Sequence, residues 1–216
     1  MTSSGAAAGP GGGVEDQGNE VSSVRTLGVD FASQSKGTVG CWITWSQGLA
    51  LVGPPIHDIG DETLTSLIRE ASRTGIDVPF GWPDEFVAEL DRHRTFAPWQ
   101  TPESREDHLF FRATDRHVRA ITGQVPLSVS ADKIGRTAVR AARVLFELRA
   151  SGASIDRSGE TGKVLEVYPA AALKRWVEGR FRYKHATRGK EELLRLAQTL
   201  FARDWLQFTD DCPCGV

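Results

Sequence analysis

A chain of 216 residues with 40% hydrophobic and 25% charged side chains has the makeup of an ordinary globular protein with one sizeable core. Its net charge of −2 excludes a global attraction to nucleic acid, while local segregation of charge leaves room for a basic surface. No apolar run approaches the roughly 18–20 residues that span a bilayer, so no membrane partner is expected.

Residues 1–23 are rich in Gly, Ala and Ser and have neither the basic start nor the apolar stretch of a secretory signal. They read as a disordered tail with almost nothing to bury, and residues 24–216 as one domain. Cys41 sits in an apolar run, and Cys212 and Cys214 lack the partners of a zinc site, so neither a disulfide framework nor a metal cluster is expected. A cytoplasmic location follows as the expectation.

The segment Arg25–Phe31 reads as a strand running into a loop at Asp30. Val39–Trp45 and Leu49–Ile56 are two further strands joined by a hairpin signal at Ser46-Gln47-Gly48, and Pro54-Pro55 is expected to end the third. Asp61 is a candidate N-cap for a helix carrying Leu64, Leu67, Ile68 and Ala71. Gly75–Pro79 then reads as a short buried fourth strand.

From Gly81 to Pro126 the chain is loop-rich, with one short helix marked by Phe86 and Leu90 and another over His108–Val118. This stretch has the character of an insertion that covers a site. Ala131–Arg149 is an amphipathic helix with Ile134, Ala138, Ala141, Ala142, Leu145 and Leu148 directed to the core. Gly162–Pro169 is a fifth strand, followed by helices around Ala171–Val177 and Gly189–Asp204. The expected architecture is α/β: a mixed five-stranded sheet of ribonuclease-H-like type flanked by helices, with the insertion after the fourth strand.

The chemical signal lies in the acids. Asp30 ends the first strand, Asp77 lies in the fourth and Glu166 in the fifth, each among apolar neighbours where an unpaired charge is costly. If the first and fourth strands are neighbours, Asp30 and Asp77 meet at one edge and repel unless a cation lies between them. Oxygen-only ligands suit Mg²⁺ or Mn²⁺, and such a site is able to hydrolyse a phosphodiester bond in line. The structural alternative is that Asp30 caps a turn, Asp77 is fixed by its loop and Glu166 pairs with an arginine.

Arg112 and Asp115 are read either as an internal ion pair or as a substrate-binding pair with Arg112 on a phosphate. Lys184 lies in a basic stretch with Lys174, Arg175, Arg180, Arg182, His185, Arg188 and Lys190, and is a candidate contact to a nucleic-acid backbone. A second basic stretch holds Lys133, Arg136, Arg140 and Arg143, and on their own both stretches read first as solvated helix faces. Trp82 and Trp99, in the insertion, are the tryptophans placed to stack on bases; the rest are expected in the core.

The set Gly28-Val-Asp-Phe-Ala32, Ile76-Asp-Val-Pro-Phe-Gly-Trp-Pro83, Arg112-Ala-Thr-Asp115 and Glu166-Val-Tyr-Pro-Ala170 resembles the predicted nucleases called domain of unknown function family 429. The resemblance runs from about Arg25 onward. It implies a ribonuclease-H-like fold, with Asp30 and Asp77 as the metal-binding pair and Glu166 as a third member. It also implies a final helix bearing another aspartate, whereas Asp210 and Asp211 here precede Pro213 and Gly215, which do not extend a helix.

The expected function is therefore a divalent-metal-dependent nuclease. One rival is an inactive nucleic-acid-binding or regulatory relative. Another is an actin-like or sugar-kinase-type enzyme using ATP, in which Ser33, Gly37 and Thr38 would cradle a phosphate.

Overall fold

A computed structural model describes residues 23–155, 157, 159–177 and 189–210 of the chain. The first three strands, β1 (Val24–Asp30), β2 (Val39–Ser46) and β3 (Leu49–Ile56), form an antiparallel meander. Its second turn places Gln47 and Gly48 at φ 50 and 78. Two successive positive values make the twisted hairpin turn that Gly favours and that matches the twist of the strands.

β3 runs through Pro54 and Pro55 instead of stopping before them. The ladder with β2 is irregular between Cys41 and Ile43: Pro55 pairs with Cys41, while Trp42 on one strand and Gly53-Pro54 on the other have no register partner. That break accommodates residues that lack a backbone donor.

Helix α1 (Asp61–Glu70) returns the chain to the other side of β1, where β4 (Arg73–Asp77) pairs with it in parallel. Gly60, not Asp61, occupies the N-cap, and Asp61 uses its carboxylate elsewhere. The insertion then supplies α2 (Asp84–Arg94), a 3-10 turn at Glu103–Arg105, α3 (Asp107–Phe110) and α4 (Ala113–Thr122). The single helix expected over His108–Val118 is thus two, separated by an extended Phe111.

The long helix α5 (Gly135–Ala150) leads to β5 (Val164–Glu166), then to α6 (Pro169–Trp176), α7 (Gly189–Phe201) and a short β6 (Leu206–Phe208). The sheet has six strands in the order β5-β4-β1-β2-β3-β6, one more than expected. β6 adds in parallel to β3, and Trp205 just before it stacks on Trp45 at 6.5 Å. No helix among the described residues is long and apolar enough to cross a membrane.

One face of the sheet carries the core. Leu27, Val29, Ile76 and Val164 point to it and pack with Leu64 and Ile68 of α1 and Ala141, Val144 and Leu148 of α5. Full burial of each large aliphatic side chain contributes about 1.5–3 kcal/mol, so this layer fixes the strand register firmly. Ala142, expected inside, is exposed, while Val144 takes a core position.

The core face of α5 also holds a charge. Arg140 is only 9% exposed and its guanidinium is shared among four acceptors. It donates to Asp61 Oδ1 at 2.8 Å, to the Ala32 carbonyl at 2.8 Å, to Thr38 Oγ1 at 2.7 Å and to the Ile59 carbonyl at 3.2 Å. Its plane also lies over the Phe31 ring at 4.5 Å. A basic residue grouped by sequence with solvated neighbours is therefore a buried tie between α5, the start of α1 and the loop that follows β1.

Candidate active site

Strand pairing brings the first two acids together. Asp30 and Asp77 are register partners on the adjacent parallel strands β1 and β4, at the carboxyl end of both. Paired residues share a face, and neighbouring strands lie about 4.8 Å apart, so the two carboxylates stand side by side. Since Leu27, Val29 and Ile76 face the core, alternation turns Asp30 and Asp77 to the opposite side of the sheet. Asp30 is exposed and Asp77 half-buried, and Asp77 has a further interaction of its own.

The ends of these strands are held from below. Thr38 Oγ1 accepts from the Ala32 amide at 3.2 Å and donates to the Gln34 carbonyl at 2.9 Å, closing the loop after Asp30. The Gly37 amide donates to Asp58 Oδ1 at 3.2 Å. With Arg140 beneath, the loop has fixed geometry on its core side while residues 33–37 stay exposed. Of the residues considered for a phosphate cradle, Thr38 is completely buried with its hydroxyl already committed.

Glu166 does not join the pair. Its register partner is Ile76, which places it on the core-side face, away from Asp30 and Asp77. Arg112 grips its carboxylate through both terminal nitrogens, Nη1 to Oε2 at 2.8 Å and Nη2 to Oε1 at 2.6 Å, and the Phe80 amide donates to Oε2 at 2.8 Å. Glu166 was expected as a third member beside Asp30 and Asp77; those two are register partners, and Glu166 is paired with an arginine instead. Among the described residues no three His, Cys, Asp or Glu side chains are grouped to hold a metal ion.

Arg112 and Asp115 resolve as an internal ion pair. Arg112 Nε and Nη2 donate to Asp115 Oδ2 and Oδ1 at 2.9 and 2.7 Å, and Asp115 also accepts from the Arg112 amide at the start of α4. Burial alone favours the neutral guanidine, but hydrogen bonds from Glu166 and Asp115 outweigh it and hold the Arg112 pKa above its ordinary value. Arg112 is a permanent cation between two carboxylates, which ties α4, β5 and the loop leaving Asp77 into one unit.

A buried acid in the insertion gave no signal in the sequence reading. Glu89, 2% exposed, accepts at Oε1 from the Gln100 amide at 2.9 Å, the Thr101 amide at 2.6 Å and the Thr101 hydroxyl at 2.7 Å. The available clue is its spacing from Phe86, which puts both on the inner side of α2 while Leu90 is exposed. The Thr101 hydroxyl is the main cause of a lowered Glu89 pKa, against the opposing effect of burial. A carboxylate held below its ordinary value stabilises the fold above that value, and the contribution is lost as pH falls through the lowered one. Acidification below the usual carboxylate value of 4.5 should therefore lower the protection factors of the Gln100 and Thr101 amides before those of the core strands. Hydrogen exchange in parent and Glu89→Ala checks this, and equal protection in the two proteins at neutral pH refutes it.

Trp82 is half-buried, and Trp99 is 52% exposed beside this pinned segment. Lys174, Arg175 and Lys190 are exposed. Lys184, with Arg180, Arg182, His185 and Arg188, lies outside the described residues, as do Asp211, Cys212 and Cys214.

A family model described as "Protein of unknown function (DUF429)" matches residues 28–211. No curated protein and no solved structure matches the chain.

Proposed function

Since the chain belongs to the DUF429 family, whose function is unknown, its own geometry has to carry the reading, and from it we propose a divalent-cation-dependent nuclease acting in the cytoplasm. The observation that supports it is the pairing of Asp30 with Asp77 at the carboxyl ends of adjacent parallel strands. A meander β1-β2-β3 with β4 and then β5 added in parallel beside β1 is also the arrangement of a ribonuclease-H-like sheet.

The donor set fits the cation. Mg²⁺ is commonly held by only one or two carboxylates, with waters and substrate phosphate oxygens completing its shell, and Mn²⁺ accepts the same hard ligands. When bound, such a cation supplies the Lewis acidity for phosphodiester hydrolysis. Asp30 and Asp77 would hold it through carboxylate oxygens. The Arg140 tie fixes the loop after Asp30, and the Glu166–Phe80 bond fixes the loop after Asp77, so neither acid has to be ordered when substrate arrives. In the reaction a water oxygen bonds to phosphorus, the ester P–O bond breaks, and a proton from water ends on the departing hydroxyl.

The commitment of Glu166 to Arg112 favours a second reading, an inactive relative that binds nucleic acid without cutting it. Incubation of the purified chain with single-stranded, duplex, branched and RNA–DNA hybrid substrates, with and without Mg²⁺ or Mn²⁺, separates the two. Cleavage that needs the cation and stops on chelation supports the nuclease. Salt-sensitive binding with no cleavage in either cation supports the inactive relative. Neither binding nor cleavage refutes both.

A further inference from the structure

Helix α5 buries one face and leaves the other bare. Ala138, Ala141, Val144 and Leu148 are in the core, while Val139 is 43% and Phe146 68% exposed. On the outward face Val139, Ala142, Arg143, Phe146 and Glu147 line a cavity of about 430 Å³, and Trp82 supplies its other wall. That volume lies within the range of sites that hold small organic groups.

Both walls are fixed before anything enters. Trp82 stands between Gly81, at φ 150, and Pro83, which is fully buried, and two residues earlier the Phe80 amide is bonded to Glu166. On the other wall Arg140, next to Val139, ties α5 to the Ala32 and Ile59 carbonyls. A cleft that is already ordered loses little freedom when it is filled.

The chemistry of the lining narrows the occupant. An indole and a phenyl ring present planar apolar surface, and every base of a nucleic acid has a π-face to lay on it. Cations share the same face of the helix. Arg136 and Arg143 are exposed and flank Val139, seven residues apart. That is about 10 Å along the helix axis, a spacing that suits successive phosphates of a strand better than one phosphate. The row Arg136, Val139, Arg143, Phe146 alternates charge with apolar surface, as a strand alternates phosphate with base. In a duplex the base faces cover one another, so the strand has to be single.

We propose that the groove between Trp82 and α5 binds single-stranded nucleic acid, a base stacking on Trp82 and Phe146 and the adjoining phosphates meeting Arg136 and Arg143. Glu147, the one anion of the lining, belongs to the base end, where it would accept from an exocyclic amino group. The acid pair faces the other side of the sheet, so the groove holds a neighbouring stretch of strand and does not touch the phosphodiester to be cut. The inference rests on the nucleic-acid reading above but not on the acid pair, and it adds the class of strand that is bound.

The test uses the full chain in metal-free buffer with three probes: a fluorescent mixed-sequence single strand, the same sequence as a duplex, and adenosine monophosphate. The single strand should bind at least about tenfold more tightly than the duplex, and adenosine monophosphate far more weakly than either. Phe146→Ser, at an exposed position that leaves the melting temperature near the parent's, should weaken single-strand binding about tenfold, and Phe146→Tyr should restore it. Trp82→Leu should act like Phe146→Ser. Arg136→Gln and Arg143→Gln should each lower the slope of log affinity against log salt by about 0.7. Arg73→Gln, exposed at the opposite end of β4, should match the parent.

Single-strand binding unchanged in both Phe146→Ser and Trp82→Leu overturns the groove, and with cleavage lost in Asp30→Asn it leaves the acid pair standing. Binding weakened in Phe146→Ser, with full cleavage in Asp30→Asn, supports the groove and overturns the role of the acids. Equal affinity for duplex and single strand overturns the stacking assignment, and adenosine monophosphate bound as tightly as the strand overturns the choice of a strand. A parent dimer in sedimentation that Phe146→Ser dissociates makes the face a contact between copies and overturns the proposal. A parent that binds no probe overturns it together with the nucleic-acid reading.

Discussion

Asp30→Asn and Asp77→Asn should each lower Mn²⁺-dependent cleavage by about a hundredfold or more, and Asp30→Asn should leave the melting temperature unchanged or slightly raised. The activity loss follows from removing one of two anionic ligands; even residues that only support a metal ligand typically cost about 10–100-fold when replaced. The stability result follows from the same register. Two like charges stand side by side on neighbouring strands, and neutralising the exposed Asp30 relieves their repulsion without changing side-chain size. Circular dichroism with a cleavage assay on each variant checks both halves. Parent-level cleavage in both variants would remove the basis for the nuclease reading.

Arg112→Met should destabilise the protein by about 3–5 kcal/mol, the usual cost of deleting one partner of a buried ion pair. For a chain of this size that lowers Tm by about 10 °C or more. The reason is local. Asp115 is 5% and Glu166 25% exposed at the side chain, and without the guanidinium two carboxylates lose their counter-charge and most of their donors. Arg112→Lys keeps the charge without the fork and should fall between. Glu166→Gln retains an acceptor for the Phe80 amide, so it should cost less than Arg112→Met and keep cation-dependent cleavage. Denaturant unfolding of the three variants beside the parent measures the order. Arg112→Met as stable as the parent contradicts the ion-pair role, and cation affinity lost in Glu166→Gln as in Asp30→Asn returns Glu166 to the metal.

Periodicity made the major elements readable. The meander, the helix after it and the fourth strand follow from alternation and turn residues, and with them came the neighbourhood of Asp30 and Asp77. Glu166 shows where that reading stops. Its position in a strand was evident, but the face it occupies depends on which residue of β4 it stands beside, and a one-residue difference in register reverses the answer.

Arg140 and Glu89 were missed for a related reason. A charged residue on an amphipathic helix reads as solvated unless the partners that satisfy it are known, and those partners are distant carbonyls, amides and hydroxyls. β6 escaped because its three residues have no pattern of their own and depend on the exposed edge of β3. The motif with Arg112 and Asp115 was visible as a unit, and only its third member, Glu166, decided between ion pair and phosphate contact.

The parallel ladder between β1 and β4 works as a ruler. Its spacing is set by backbone hydrogen bonds, independent of whatever chain lies between the two strands. The hairpin tip at Gln47-Gly48 can therefore lengthen or shorten without altering the gap between the aspartates, whereas one residue added within either strand upstream of its acid would move a carboxylate out of reach of the other.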